Sequence, residues 1–166
     1  AAMQITARDQ GGRGRADQEL SDWPGLQLHA TQLLRSPQAG DFAERFQALH
    51  GTLARHCEQA PDAALLALVY LSAQETRLYS ATHAMLVSCV CMVVAREMLR
   101  WPDTQVQQVG HAGLSMNISM TELQDQLAQQ AHPLTTQQIH AVETHAARSE
   151  ALLRHLGVAD AHWLEA

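Results

Sequence analysis

The residues of this 166-residue chain that could do chemistry are its histidines, its three cysteines and one Met–Asn pair. Two histidines are spaced to point inward. His83 shares a helical face with Val87, Val90 and Val94, and His145 lies three residues after Val142, four before Ser149 and seven before Leu152. An inward histidine is either a core side chain satisfied by one hydrogen bond or a ligand of the kind that helical bundles aim at a metal. Between the two lies the stretch HAGLSMNISM, residues 111–120, in which Met116 and Asn117 follow a run of small and apolar residues. His111, five residues before Met116, reads as a helix-end histidine facing solvent. His140 and Glu143 have the i, i+3 spacing of a Glu/His metal pair, but they fall off the Ile139–Val142–His145 stripe and belong on a solvated face. Cys89 and Cys91, two apart on a helix, point to opposite sides and cannot chelate one metal together.

The elements that must position these groups read as successive helices. Residues 26–34 form a short helix stopped by Ser36-Pro37. Asp41, with Glu44 three residues on, opens a helix to about 57, and Pro61-Asp62 opens another carrying ALLALVYL. A long apolar helix covers about 80–100 and ends at Trp101-Pro102, because the residue before proline leaves the helical region. Asp103 starts a short helix to about 109. Thr121 with Gln124, and Thr135 with Gln138, have capping-box spacing and open helices to about 130 and 156. Gly157 ends the last of these. The expected fold is all-α, a bundle of about seven helices. Its divisions are a disordered or tag-derived tail at 1–25, an N-terminal helical segment at 26–78 and a helical core at 79–166. The glycines at 11–14 (GGRG) have no strand before them and no Lys-Ser/Thr after them, so they are not a phosphate loop.

Composition narrows the classes. Hydrophobic residues make up 46% and aromatics 4%, and Lys is absent. Eleven basic residues, all Arg, against seventeen acidic ones give a formal charge of −6, with no basic stripe, so a nucleic-acid partner is not expected. The longest apolar run, Ala84–Ala95, has 12 residues, too few to span a bilayer, and reads as a buried helix. An odd number of cysteines, two of them in that helix, fits buried thiols in a reducing cytoplasm.

The segment YSATHAMLVSCVCMVVAREM, around His83, resembles the first helix of HD-superfamily phosphohydrolases. AGLSMNISM, at 112–120, resembles their central motif, Ala-Ala-Leu-Leu-His-Asp-Ile-Gly-Lys. PLTTQQIHAVETHAARSEALLRHLGV resembles the following block of the HD-GYP branch. The likeness spans about residues 79–164. It implies that His83 and His145 stand at metal-ligand positions, and that Met116 and Asn117 stand where the family has the His and Asp of its dyad. Ala146 replaces the usual Pro, and Ser119 and Met120 replace Gly and Lys. HD-GYP proteins continue to a His-His-Glu cluster and a Gly-Tyr-Pro loop, so a fragment of a longer protein is expected, with apolar surface that a homodimer or helix exchange would cover.

In the family the dyad aspartate binds, and often bridges, divalent metals that activate water and clamp phosphoryl oxygens. Asn is neutral and Met offers a soft thioether, a poor partner for Mg, Mn or Fe(II). What the resemblance implies is therefore a degenerate HD-GYP-like domain, catalytically inactive, that serves in regulation, nucleotide sensing or assembly. The partner would be a signalling protein or a cyclic dinucleotide. The alternatives are an active phosphohydrolase of the cyclic di-GMP phosphodiesterase type, with a rearranged site holding a divalent metal (Fe, Mn or Mg), and an unrelated helical interaction domain.

Overall fold

The computed structural model of the chain describes residues 22–38 and 40–166. The expected N-terminal tail, as far as residue 21, and the GGRG glycines lie outside the described residues. Among the described residues there are helices and turns and no strand, so the fold is all-α. The helices are α1 (Trp23–Arg35), α2 (Phe42–Gln59), α3 (Pro61–Gln74), α4 (Tyr79–Val93), α5 (Asp103–Ser115), α6 (Thr121–Leu127), α7 (Thr136–Glu143), α8 (His145–His155) and α9 (Ala161–Glu165). A 3₁₀ turn, Thr76–Leu78, leads into α4, and another, Ile118–Met120, joins α5 to α6.

Helix α4 is the central element. It packs on α1, α2, α3, α5 and α6. It buries Ala81, Ala84, Met85, Ser88, Cys89 and Met92, and its end widens into a π turn at Val94–Met98. The chain leaves it through Arg100, which takes the left-handed conformation (φ 56°) before Trp101-Pro102. The inward face is therefore not the His83–Val87–Val90–Val94 stripe expected from sequence. His83, Val87 and Val94 are half-buried, and Val90 is exposed (42%). A helix apolar on all sides gives periodicity nothing to choose between, and neighbours decided the rotation. Together with the preceding turn, the helical stretch Thr76–Met98 has 23 residues, and an 18-residue window within it has a mean hydropathy of 1.8 and is half buried. It exceeds the 12-residue run and is long and apolar enough to cross a membrane. Here it is enclosed by five helices.

Local chemistry explains most boundaries. α1 starts at Trp23, earlier than expected, because the Asp22 carboxylate accepts from the Gly25 N–H (2.9 Å) and Pro24 occupies the first turn. Thr135 and Gln138 form both bonds of a capping box. Thr121 does not: its hydroxyl donates to the carbonyls of Leu34 and Ile118 instead, and Gln124 is buried. Asp41 stands at the start of α2 but makes no capping bond, pairing with Arg45 at 3.5 Å. Gly157 ends α8 with φ 92°.

Two elements exceed the expected seven. The helix expected at 135–156 breaks at Thr144, whose hydroxyl donates back to the His140 carbonyl, a bond that bends helices. The short α9 follows, capped by Asp160. α5 also runs on to Ser115, through Gly110 and Gly113, rather than stopping near 109. A Cβ on Gly113 would stand 3.0 Å from the Ser88 Cα, so this glycine is what lets α5 lie against α4. One core cluster, from Ala30 to Trp163, draws on both the 26–78 and the 79–166 segments.

Candidate functional site

The corner at Met116–Asn117 is built by three elements. Gly110 sits against Met92 and Gly113 against Ser88, so α4 and α5 run antiparallel. That register carries the His83 end of α4 toward the Met116 end of α5. Met116 follows the last residue of α5, and Asn117 precedes the 3₁₀ turn, its carbonyl accepting from the Met120 N–H (2.9 Å). Both are half-buried. The start of α8 is tied to the same corner. The Ser119 hydroxyl donates to the His145 carbonyl (2.9 Å), the Ser119 N–H donates to the Ser149 hydroxyl (3.2 Å), and the Ser149 hydroxyl donates to that of Ser119 (3.0 Å). Ser149 is buried, as its place on the His145 stripe predicts.

The two histidines spaced to point inward make local contacts. The His83 ring stacks on Tyr79 (centroids 5.4 Å apart), and burial lowers its pKa below the ordinary histidine value. His145 Nδ1 bonds the Val142 carbonyl. A carbonyl only accepts, so Nδ1 is the donor. Among the described residues no three His, Cys, Asp or Glu side chains converge as a metal-binding group. The Asn117 amide and the Met116 thioether do not fit a hard divalent ion, which prefers carboxylate oxygens. Beside the corner lies an open polar groove of about 590 Å³, lined by Ser119, Thr121, Arg35, Arg148 and Gln137 among others. Arg35 is held there by Asp125 (2.7 Å), and Arg148 donates to the Ser119 carbonyl (3.3 Å).

His140 and Glu143 are exposed, as their spacing predicts. The Ile139–Val142 stripe they flank is not an inward face, however: α7 has no buried residue, and Ile139 is 44% exposed. Cys89 is buried and Cys91 half-buried, on different sides of α4. Cys89 shares a hydrogen bond with Cys57 of α2, which raises the Cys89 thiol pKa and lowers that of Cys57.

A second polar cluster lies inside the bundle. His50 of α2 is 2% exposed, and its ring centroid is 4.0 Å from that of His111. His111 is not a solvent-facing helix end: Phe46 and Trp163 pack on its ring at 5.7 and 4.7 Å, and its Nε2 is buried. Neither His50 Nε2 nor His111 Nε2 has a hydrogen-bond partner. Desolvation, helped by the neighbouring imidazole, lowers the His50 pKa to about 3, and burial lowers that of His111. The sequence carries the signal for His50, which shares a helical stripe with Phe46, Leu53 and Cys57. No family model, curated protein or solved structure matches the chain.

Proposed function

We propose that the chain is a degenerate HD-type domain that acts in regulation, nucleotide sensing or assembly rather than in hydrolysis. The observation that carries this reading is the corner itself. The end of α5 and the start of α8 meet through Ser119, and what stands there is Met116 and Asn117, not a histidine and a carboxylate. A metal-dependent hydrolase needs a charged oxygen at that point to hold its ions and lower the pKa of bound water. The groove beside Ser119 has the volume of a small-ligand site, and Arg148 in its lining suits an anionic group such as a phosphate of a cyclic dinucleotide.

Metal analysis and a cyclic di-GMP hydrolysis assay on the full chain test the reading, alongside the Met116→His/Asn117→Asp double substitution. The expected result is no turnover by the parent chain and a gain in manganese or iron uptake by the double variant. Stoichiometric iron or manganese with turnover in the parent would overturn it.

Assembly is supported by α3. Leu66, Val69 and Tyr70 form an i, i+3, i+4 patch on its outer face, 71, 54 and 64% exposed. We assign that face to a second copy of the chain. The chain as a whole carries −6, yet no charged residue occurs from Ala63 to Gln74, so two copies of this face meet without repulsion. Sedimentation velocity should show a concentration-dependent dimer that Leu66→Glu abolishes. A monomer throughout the micromolar range rules out the self-contact.

A further inference from the structure

We propose that His50, His111 and Met92 form a binding site for a soft monovalent metal ion, copper(I), in the interior where α2, α4 and α5 meet. The site shares no residue with the Met116–Asn117 corner and does not depend on the reading of that corner.

Three observations converge on it. The first is a pair of unsatisfied atoms. His50 Nε2 and His111 Nε2 are both buried without a hydrogen-bond partner, and their rings are 4.0 Å apart. A buried polar atom left unpaired costs about 1–3 kcal/mol, and native structures settle such atoms on a water or an ion. Two on neighbouring rings is a donor pair in search of an acceptor of electron density. The second is Met92, fully buried on α4. A Cβ added to Gly110 would stand 2.6 Å from His50 Nε2 and 2.7 Å from Met92 Sδ, so the imidazole nitrogen and the thioether sulfur converge on one point beside a glycine. Any larger residue at 110 would intrude on it. The third is the wall. Phe46 and Trp163 close over the His111 ring, and the Trp163 indole N–H is spent on the Ser115 hydroxyl (2.8 Å), which leaves apolar ring surface toward the histidines.

The donor set selects the ion. Thioether sulfur is a poor ligand for hard ions and a good one for copper(I), and imidazole serves copper as well. All three ligands are neutral and the surroundings are apolar. A monovalent ion therefore brings one charge into the interior, where Zn²⁺ or Mn²⁺ would bring two with no carboxylate among the ligands to balance them.

The test is an anaerobic titration of the reduced full chain with copper(I). A colorimetric copper(I) chelator serves as competitor, and the histidine ring nitrogens are followed by ¹⁵N NMR. The first equivalent should shift the ring nitrogens of His50 and His111, and no others among the ten histidines. His111→Leu should weaken that first equivalent at least tenfold. Met92→Leu, which conserves volume and so keeps the fold, should weaken it several-fold. The proposal falls if the first equivalent leaves both rings unmoved because Cys57, Cys89 and Cys91 take it. It also falls if Met92→Leu and His111→Leu bind copper(I) as tightly as the parent.

Discussion

Asp125 is the residue on which the geometry of the 116–125 region turns, and replacing it with alanine tests that view. Its carboxylate is 6% exposed and has three donors. The Ser80 N–H, at the start of α4, gives a 2.7 Å bond. The Arg35 guanidinium of α1 gives two more, at 2.7 and 3.3 Å. One side chain on α6 thus caps the central helix and ties it to α1. Losing the cap leaves a buried N–H unpaired, worth about 1–2 kcal/mol. Breaking a fully buried ion pair costs about 3–5 kcal/mol, but the Arg35 side chain is 36% exposed and recovers much of its hydration, so roughly 1 kcal/mol remains for that part. Asp125→Ala should therefore destabilise the chain by about 2–3 kcal/mol. Asp125→Asn keeps an acceptor for Ser80 and should cost about half as much. Urea unfolding followed by circular dichroism reads this as a lower midpoint at constant slope. In the double-mutant cycle with Arg35→Ala the two changes should couple by about 0.5 kcal/mol or more. An Asp125→Ala midpoint within error of the parent, or strict additivity with Arg35→Ala, would refute the bridging role.

Gly113→Ala separates propensity from packing. Alanine is favoured by about 1 kcal/mol in a helix interior, but its Cβ would meet Ser88 backbone atoms at 3.0 and 3.1 Å. Net destabilisation of about 1–3 kcal/mol is expected in the same urea assay, and a stabilised variant would refute the close α4–α5 contact. The metal-free chain should lose stability in acid. His50 has its folded pKa lowered to about 3 from an unfolded value near 6.5, so the unfolded state binds the extra proton between those values. Stability is retained above about pH 6.5 and lost as pH falls toward 3. The loss is about 1.4 kcal/mol per unit from His50 alone, and His56, His83 and His111 add in the same direction. Urea midpoints in EDTA that stay flat from pH 7 to pH 5 would contradict this.

Much of the fold was legible because punctuation is local. Pro61, the Thr135–Gln138 capping box, Trp101-Pro102 and Gly157 act through bonds within a few residues, and each stands at or next to a helix end in the structure. Thr121 shows the limit. Its spacing to Gln124 was right, yet its hydroxyl is taken by the Leu34 carbonyl, 87 residues away. The inward placement of Ser149 could be read from spacing on α8, whereas the inward face of α4 could not, because α4 is apolar all round and its rotation is set by α1, α2, α3, α5 and α6.

The candidate sites divide along the same line. The sequence by itself determined that the chain is helical, where most helices begin and end, and that Met116 and Asn117 are neutral residues at a helix end. Those facts follow from backbone capping, proline and glycine geometry, and side-chain chemistry, all local. Only the tertiary structure decided that His50 and His111, 61 positions apart, stack inside the bundle with both Nε2 atoms unpaired. Only it placed Met92 beside them, and only it left Leu66, Val69 and Tyr70 in solvent. Long-range packing fixes how each helix is rotated and what lies against it. A helix such as α3 or α4, apolar on every side, carries no sequence signal for which face a neighbour will cover.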